Sequence, residues 1–353
     1  MREAAGIPFL DVRKVMVRSA NWVGDTVMSL PAIASLRLNF PRAEISVLAK
    51  PWVAEIFQGN RDADRVILYQ SPGIHQGIVG KWRLAKQLKK ESFDLALLLQ
   101  NAFEAALISF LAGVPRRAGY STDGRSLLLT HPVALSSKKR RGHQVDYYLE
   151  IMRSLGLKLA PHIPSLRVLE ESQREASRAL KSLGLGTSEV LVGISPGATY
   201  GSAKQWFPER YAQLSDRLAR GLGARVLIFG SQGDKKVAST VCRNARVPLI
   251  DLTGMTTLGQ AVALIARCHV FVTNDSGLMH VAAALGVPLL AIFGSTDPRR
   301  TGPLGKACRV IQKPVACAPC LKTECPEDRR CLDLISVDEV YSEATKVFFG
   351  GGA

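Results

Sequence analysis

Short apolar runs alternate with amphipathic stretches along most of the chain. Lys14-Val15-Met16-Val17-Arg18 and residues 45–48, 66–68 and 95–99 are aliphatic, rich in branched side chains, and short enough to be buried strands. The first helix is expected over about 27–38, with Pro31 early within it where proline is tolerated. Another helix is predicted over 144–155. After it, Ala160-Pro161-His162-Ile163-Pro164 breaks the pattern and reads as a linker. A charged helix over 170–183 opens the second half, and strands are predicted at 190–195, 226–229, 249–254 and 270–272. This alternation predicts parallel sheets covered by helices on both faces, an α/β fold. A length of 353 residues suits two such domains, divided here as 1–165 and 166–335.

In a parallel α/β sheet the ligand lies beyond the carboxyl ends of the strands, and three turns there carry chemistry. Asn274-Asp275-Ser276-Gly277-Leu278-Met279-His280 joins a strand to an alanine-rich helix that should end at Gly286, before Pro288. Free backbone N–H groups and the helix dipole favour a phosphate at such a turn, Gly277 permits close approach, and His280 supplies a further donor. The same residues also suit an ordinary helix start, with Asp275 or Ser276 as N-cap and His280 packed inside. The second turn follows the first strand and holds Asp25 after Gly24. Asp25 reads either as a helix cap or as a general base, partly desolvated by Trp22 and Val23. The third is Pro196-Gly197-Ala198-Thr199-Tyr200-Gly201-Ser202-Ala203-Lys204-Gln205-Trp206, whose N–H groups and lysine suit phosphates although it lacks the Walker spacing. Gly230-Ser231-Gln232-Gly233-Asp234 is a further turn at a ligand edge. No GxGxxG fingerprint follows the first strand of either half, which argues against a nicotinamide dehydrogenase.

Charge narrows the partners. A net charge of +16 implies something acidic: nucleic acid, an anionic membrane or a phosphorylated substrate. Residues 81–90 form an amphipathic basic stretch; Arg116, Arg117 and Arg125 with Lys138-Lys139-Arg140-Arg141 form a second cluster. Each reads as a solvated face or as a grip on phosphorylated sugars or headgroups. The cations are scattered and lack interleaved stacking aromatics, which disfavours nucleic acid. Residues 1–8 do not resemble a signal peptide, and the longest apolar run, 281–293, is interrupted and short for a membrane span. The expected location is cytoplasmic, with peripheral membrane contact as the alternative. Four of seven cysteines, Cys317, Cys320, Cys325 and Cys331, crowd into one segment. Their spacing fits a tetrahedral zinc or iron–sulfur set, but reduced or partly oxidised structural cysteines are the favoured reading. Cys242, Cys268 and Cys308 read as small buried side chains.

Asn21-Trp22-Val23-Gly24-Asp25, the 197–206 loop and the 274–280 turn, in that order, resemble the bacterial ADP-heptose:lipopolysaccharide heptosyltransferases. The similarity is greatest to the branch adding the second heptose of the inner core, and covers about residues 12–345. It implies a GT-B fold, two Rossmann-like domains facing across a cleft, with segment 336–353 supplying a helix that returns to the first domain. It also implies an inverting transfer from ADP-heptose to a lipid A–core acceptor, at the cytoplasmic face of the inner membrane, needing no cofactor or metal. By the same resemblance Asp25 matches the catalytic base, and Thr199, Lys204, Asp275, Ser276, Gly277 and His280 match the donor-nucleotide site. Arg116, Arg117 and Arg125 are candidates for the acceptor. The ribose-binding acid of some relatives falls on Ser231 or Gln232, with Asp234 as a substitute. Two alternatives stand beside this reading: another nucleotide-sugar transferase or epimerase of the same fold, and a basic nucleic-acid-binding protein with a cysteine-bound metal.

Overall fold

A computed structural model describes residues 11–135, 142–186 and 188–350. The basic run 138–141 and the first eight residues lie outside the described residues. The chain divides into two units, one through Ser165 and one from Leu166.

The first unit is a six-stranded, all-parallel sheet: β1 Lys14–Arg18, β2 Glu44–Ala49, β3 Arg65–Leu68, β4 Leu95–Leu98, β5 Arg116–Tyr120 and β6 His131–Val133, in the order β3-β2-β1-β4-β5-β6. The second repeats the plan with β7 Leu191–Ser195, β8 Arg225–Ile228, β9 Ile250–Asp251, β10 Val270–Asn274, β11 Leu289–Phe293 and β12 Cys308–Gln312, in the order β12-β11-β10-β7-β8-β9. Each sheet is wound outward in both directions from its first strand. The switch points therefore lie between β1 and β4 and between β7 and β10, where the outgoing loops diverge and leave a crevice. β1, β4, β7, β10 and β11 are buried almost throughout, as expected of strands covered on both faces.

Several local expectations are refined. The helix expected over 27–38 is two helices, Val23–Met28 and Leu30–Asn39. Pro31 has no N–H to give and its ring crowds the carbonyl four residues back, so the chain restarts at Ser29. The predicted strand at 249–254 pairs only over Ile250–Asp251, because the Asp251 carboxylate accepts from the Thr253 N–H at 2.9 Å and turns the chain. β5 and β6 were hidden by their polar residues. β11 was hidden because its apolar run follows directly on that of the preceding helix.

The helix expected in 336–353 is present over Val337–Gly350. Val340, Ala344 and Val347 on its apolar face join the core of the second unit, with Trp206, Tyr211 and Leu332. Its packing makes it part of that unit. No helix among the described residues is long and apolar enough to cross a membrane.

Candidate functional site

In the second unit, β7 and β10 are neighbours, with Thr273 opposite Ser195. The 197–206 loop and the 274–280 turn therefore leave the sheet side by side at the switch point. Asn274, wholly buried at the end of β10, ties them together. Its amide donates to the carbonyls of Pro196 at 2.7 Å and Gly197 at 3.3 Å; its oxygen accepts from the Trp206 N–H at 3.0 Å and the Tyr211 hydroxyl at 3.1 Å. All four hydrogen-bonding positions of one amide are used.

Asp275, only 5 % exposed, accepts from Lys204 Nζ at 2.6 Å and from the Thr296 hydroxyl at 2.7 Å. The lysine at the end of the glycine-rich loop is thus held by the acid of the turn. Its ammonium also lies 4.6 Å from the Tyr200 ring centroid. Ser276 is the N-cap of helix Gly277–Ala284: its hydroxyl accepts from the Met279 N–H and meets Thr273 Oγ1 at 3.1 Å. His280 is buried in the first turn of that helix and Thr199 is exposed at the tip of the loop. Lys204, Asp275, Ser276, Gly277 and His280 are therefore gathered around one helix start, with Thr199 at the rim.

The expected ribose substitute, Asp234, is occupied locally. Its carboxylate accepts from the Ser231 N–H at 2.8 Å and hydroxyl at 2.7 Å, closing a capping box. It also lies against Gly197, where a Cβ would come within 2.1 Å of Asp234 Oδ1.

The cysteine-bearing segment packs on the same loop. The Ala203 N–H donates to the Thr323 carbonyl at 3.0 Å, the Tyr200 hydroxyl to the Leu321 carbonyl at 2.8 Å, and the Leu321 N–H to the Ser295 carbonyl at 2.8 Å. Gly201, at φ +148°, leaves room for this strap; a Cβ there would lie 2.1 Å from the Thr323 oxygen. The sequence held that signal in the second glycine of the loop, but its partner lies more than a hundred residues away. All seven cysteines are free thiols. Burial first, and then the nearby Cys317, Cys320 and Cys325 thiols, push the Cys331 thiol up. Among the described residues no three His, Cys, Asp or Glu side chains are gathered as a metal site.

In the first unit, Asp25 lies in the first turn of helix Val23–Met28, next to the switch point between β1 and β4. Its carboxylate accepts a hydrogen bond from the Tyr148 hydroxyl at 3.0 Å. Burial, with Asp25 adding to it, pushes Tyr148 well above the usual phenol range, so this hydroxyl stays protonated and donates. Asp25 is not the N-cap. That position is Trp22, which is 65 % exposed. Arg18 braces the loop by donating to Asn21 Oδ1 at 2.9 Å, and Trp52 Nε1 donates to the Asn21 carbonyl at 2.7 Å.

The three arginines suggested for the acceptor are not brought together with Asp25 in this way. Arg116 and Arg117 begin β5 and so lie at the opposite, amino-terminal edge of the sheet. Arg117 donates to the carbonyls of Leu128 at 2.6 Å and Val114. Arg125 is wholly buried and spends its guanidinium on the Tyr120 carbonyl at 2.7 Å, the Gln100 carbonyl at 2.5 Å and Asn101 Oδ1 at 2.9 Å; burial brings its pKa down to about 10.

Two doubly wound units of this order, with phosphate-type turns at one switch point and a carboxylate at the other, describe a GT-B glycosyltransferase. The comparisons agree. The structure of E. coli ADP-heptose lipopolysaccharide heptosyltransferase II matches with a TM-score of 0.83 and 30 % identity, covering 96 % of this chain and 100 % of that one. A glycosyltransferase family 9 structure from Veillonella parvula matches with a TM-score of 0.86 at 24 % identity, covering 98 % and 99 %. Residues 81–330 match the family described as glycosyltransferase family 9 (heptosyltransferase), and the chain belongs to that family. Lipopolysaccharide heptosyltransferase 2 of E. coli K12 is 34 % identical over 316 residues, 85 % of this chain and 88 % of the relative. Its Salmonella typhimurium counterpart is likewise 34 % identical over the same shares.

Proposed function

We propose that the enzyme transfers heptose from ADP-heptose to the mono-heptosylated inner core of lipopolysaccharide, with inversion. The observation that carries this is the Lys204–Asp275 pair at a helix start on the switch point of the second unit; the first unit separately carries a carboxylate, Asp25, at its own switch point. The N–H groups of the 277–284 helix and the Lys204 ammonium would bind the donor diphosphate and stabilise the negative charge growing on it. Asp25 takes the proton of the acceptor hydroxyl as that oxygen attacks the anomeric carbon from the face opposite the diphosphate. The anomeric C–O bond breaks and ADP leaves with its electron pair.

The acceptor carries a lipid, and the protein offers a surface suited to one. Helix Gly77–Lys89 buries Gly80, Leu84, Ala85 and Leu88 but leaves Ile78, Val79 and Trp82 exposed among Lys81, Arg83, Lys86 and Lys89. This surface supports electrostatically assisted contact with the cytoplasmic face of an anionic inner membrane. Sedimentation with anionic vesicles at low salt, lost at high salt, is the expected result; equal binding to neutral vesicles would remove the electrostatic part.

Incubation with ADP-heptose and mono-heptosylated core tests the function. The expected result is a gain of one heptose mass by the acceptor, with ADP released only when acceptor is present. ADP-heptose consumed at the same rate without acceptor would favour an epimerase or hydrolase.

A further inference from the structure

The carboxyl edge of the first sheet holds a concentration of charge that the chemistry above leaves unused. Arg18 ends β1 and Lys50 follows β2. Both side chains converge on Tyr69, just past β3. The Arg18 guanidinium carbon lies 5.1 Å, and Lys50 Nζ 3.8 Å, from its ring centroid. Arg18 is 1 % exposed and Lys50 7 %. Arg18 donates to the Ser19 carbonyl at 2.7 Å, the Leu48 carbonyl at 3.4 Å and Asn21, while its buried Nε has no partner. Lys50 donates to the Ser71 carbonyl at 2.6 Å, which leaves donors of its ammonium unspent.

The carboxylate of this network is Glu104, and it is already engaged. It accepts from the Tyr69 hydroxyl at 2.5 Å and pairs with Lys81 Nζ at 2.8 Å. Three cations thus share one acid, and among the described residues neither Arg18 nor Lys50 is paired with a carboxylate. Desolvation lowers both groups, and Lys50 also feels the repulsion of its cationic neighbours. Burial brings Arg18 down to about 10; burial first, and then Arg18 and Lys81, bring Lys50 below its ordinary value. Desolvated cations without a counter-ion cost stability, and the cost is offset once an anion binds.

We infer that Lys50, backed by Arg18, forms a subsite for an acidic substituent of the acceptor sugar, a phosphate ester or a carboxylate. Lys50, the more exposed of the two, makes the contact; Arg18 behind it supplies charge. The placement fits an acceptor, because Arg18 and Trp52 both hydrogen-bond Asn21, four residues before Asp25. The subsite rests on the heptosyl transfer proposed above, and it names the feature of the acceptor that is read.

The experiment measures acceptor binding and the KM of each substrate for the wild type, Lys50→Met and Lys50→Gln, the last keeping a donor for Ser71. Three acceptors are used: the native core, the core freed of phosphate, and the core with its sugar carboxylates reduced to alcohols. Loss of a charge-assisted contact should weaken native acceptor binding about tenfold or more in both variants. The KM for ADP-heptose should not move, and the melting temperature should hold or rise with one repelling cation gone. One modified acceptor should show the same loss with the wild type and no further loss with the variants, and that acceptor identifies the anion. Equal weakening of all three acceptors by the variants, or of none, overturns the subsite while leaving transfer intact. A wild type that binds none of the three overturns both the subsite and the proposed function.

Discussion

Replacing Asn274 by Ala should both destabilise the second unit and loosen its donor site. The substitution strands three buried groups that Asn274 now satisfies at good distance: the Trp206 N–H, the Tyr211 hydroxyl and the Pro196 carbonyl. An orphaned buried polar group costs roughly 1–3 kcal/mol, so the sum is roughly 3 kcal/mol at the least. For a unit of this size each kcal/mol moves the midpoint by roughly 2–4 °C, giving a fall of roughly 6–12 °C. Tyr211→Phe is the internal control. It removes one donor and leaves the Asn274 oxygen bonded to the Trp206 N–H, so its cost should be about 1 kcal/mol. Calorimetry gives the midpoints, and titration with ADP reports the loop that carries Lys204. Because the clasp joins the loop to β10, ADP affinity should fall in Asn274→Ala even well below the transition. An Asn274→Ala midpoint within about 2 °C of the wild type, with ADP affinity intact, would refute the reasoning.

Four further outcomes are expected. Lys204→Ala should weaken ADP-heptose binding and also lower the melting temperature, since it leaves the Asp275 carboxylate buried, still hydrogen-bonded by Thr296 but without its ion-pair partner; a destabilisation not relieved by adding Asp275→Asn would show that the stranded charge is not its cause. Asp25→Asn can still accept from Tyr148, so it should melt normally and bind ADP, yet lose transfer by at least roughly 10²-fold; near-normal turnover would move the base elsewhere. Tyr148→Phe withdraws a hydrogen bond from the ionised carboxylate, so the protonated form gains and the acid limb of the pH–rate profile should move to higher pH; an unmoved limb would limit Tyr148 to packing. In thiol labelling at pH 8, exposed Cys317 should react long before Cys268, whose thiol burial pushes up to about 12; Cys268 labelling first would contradict its burial.

The chain by itself determined the repeated α/β plan, because strands buried on both faces must be apolar throughout and helices between them must be amphipathic. It also marked the chemistry-bearing turns, since glycine, small hydroxyl residues and charge at a strand end have few other uses. What each of those residues does was decided by tertiary structure. Asp275 reads equally well as a cap or a ligand until the fold brings Lys204, distant in sequence, within 2.6 Å of it. Ser276 proves to be the cap. Arg125 looked like a free cation, and the loop after β4 and the end of β5 consume its guanidinium. Lys50 drew no notice in a chain rich in lysine; its meaning comes from sharing Tyr69 with Arg18, a pairing of three adjacent strand ends. Periodicity is written locally along the chain. The partner of a charge is set by sheet order, which brings together residues far apart in sequence.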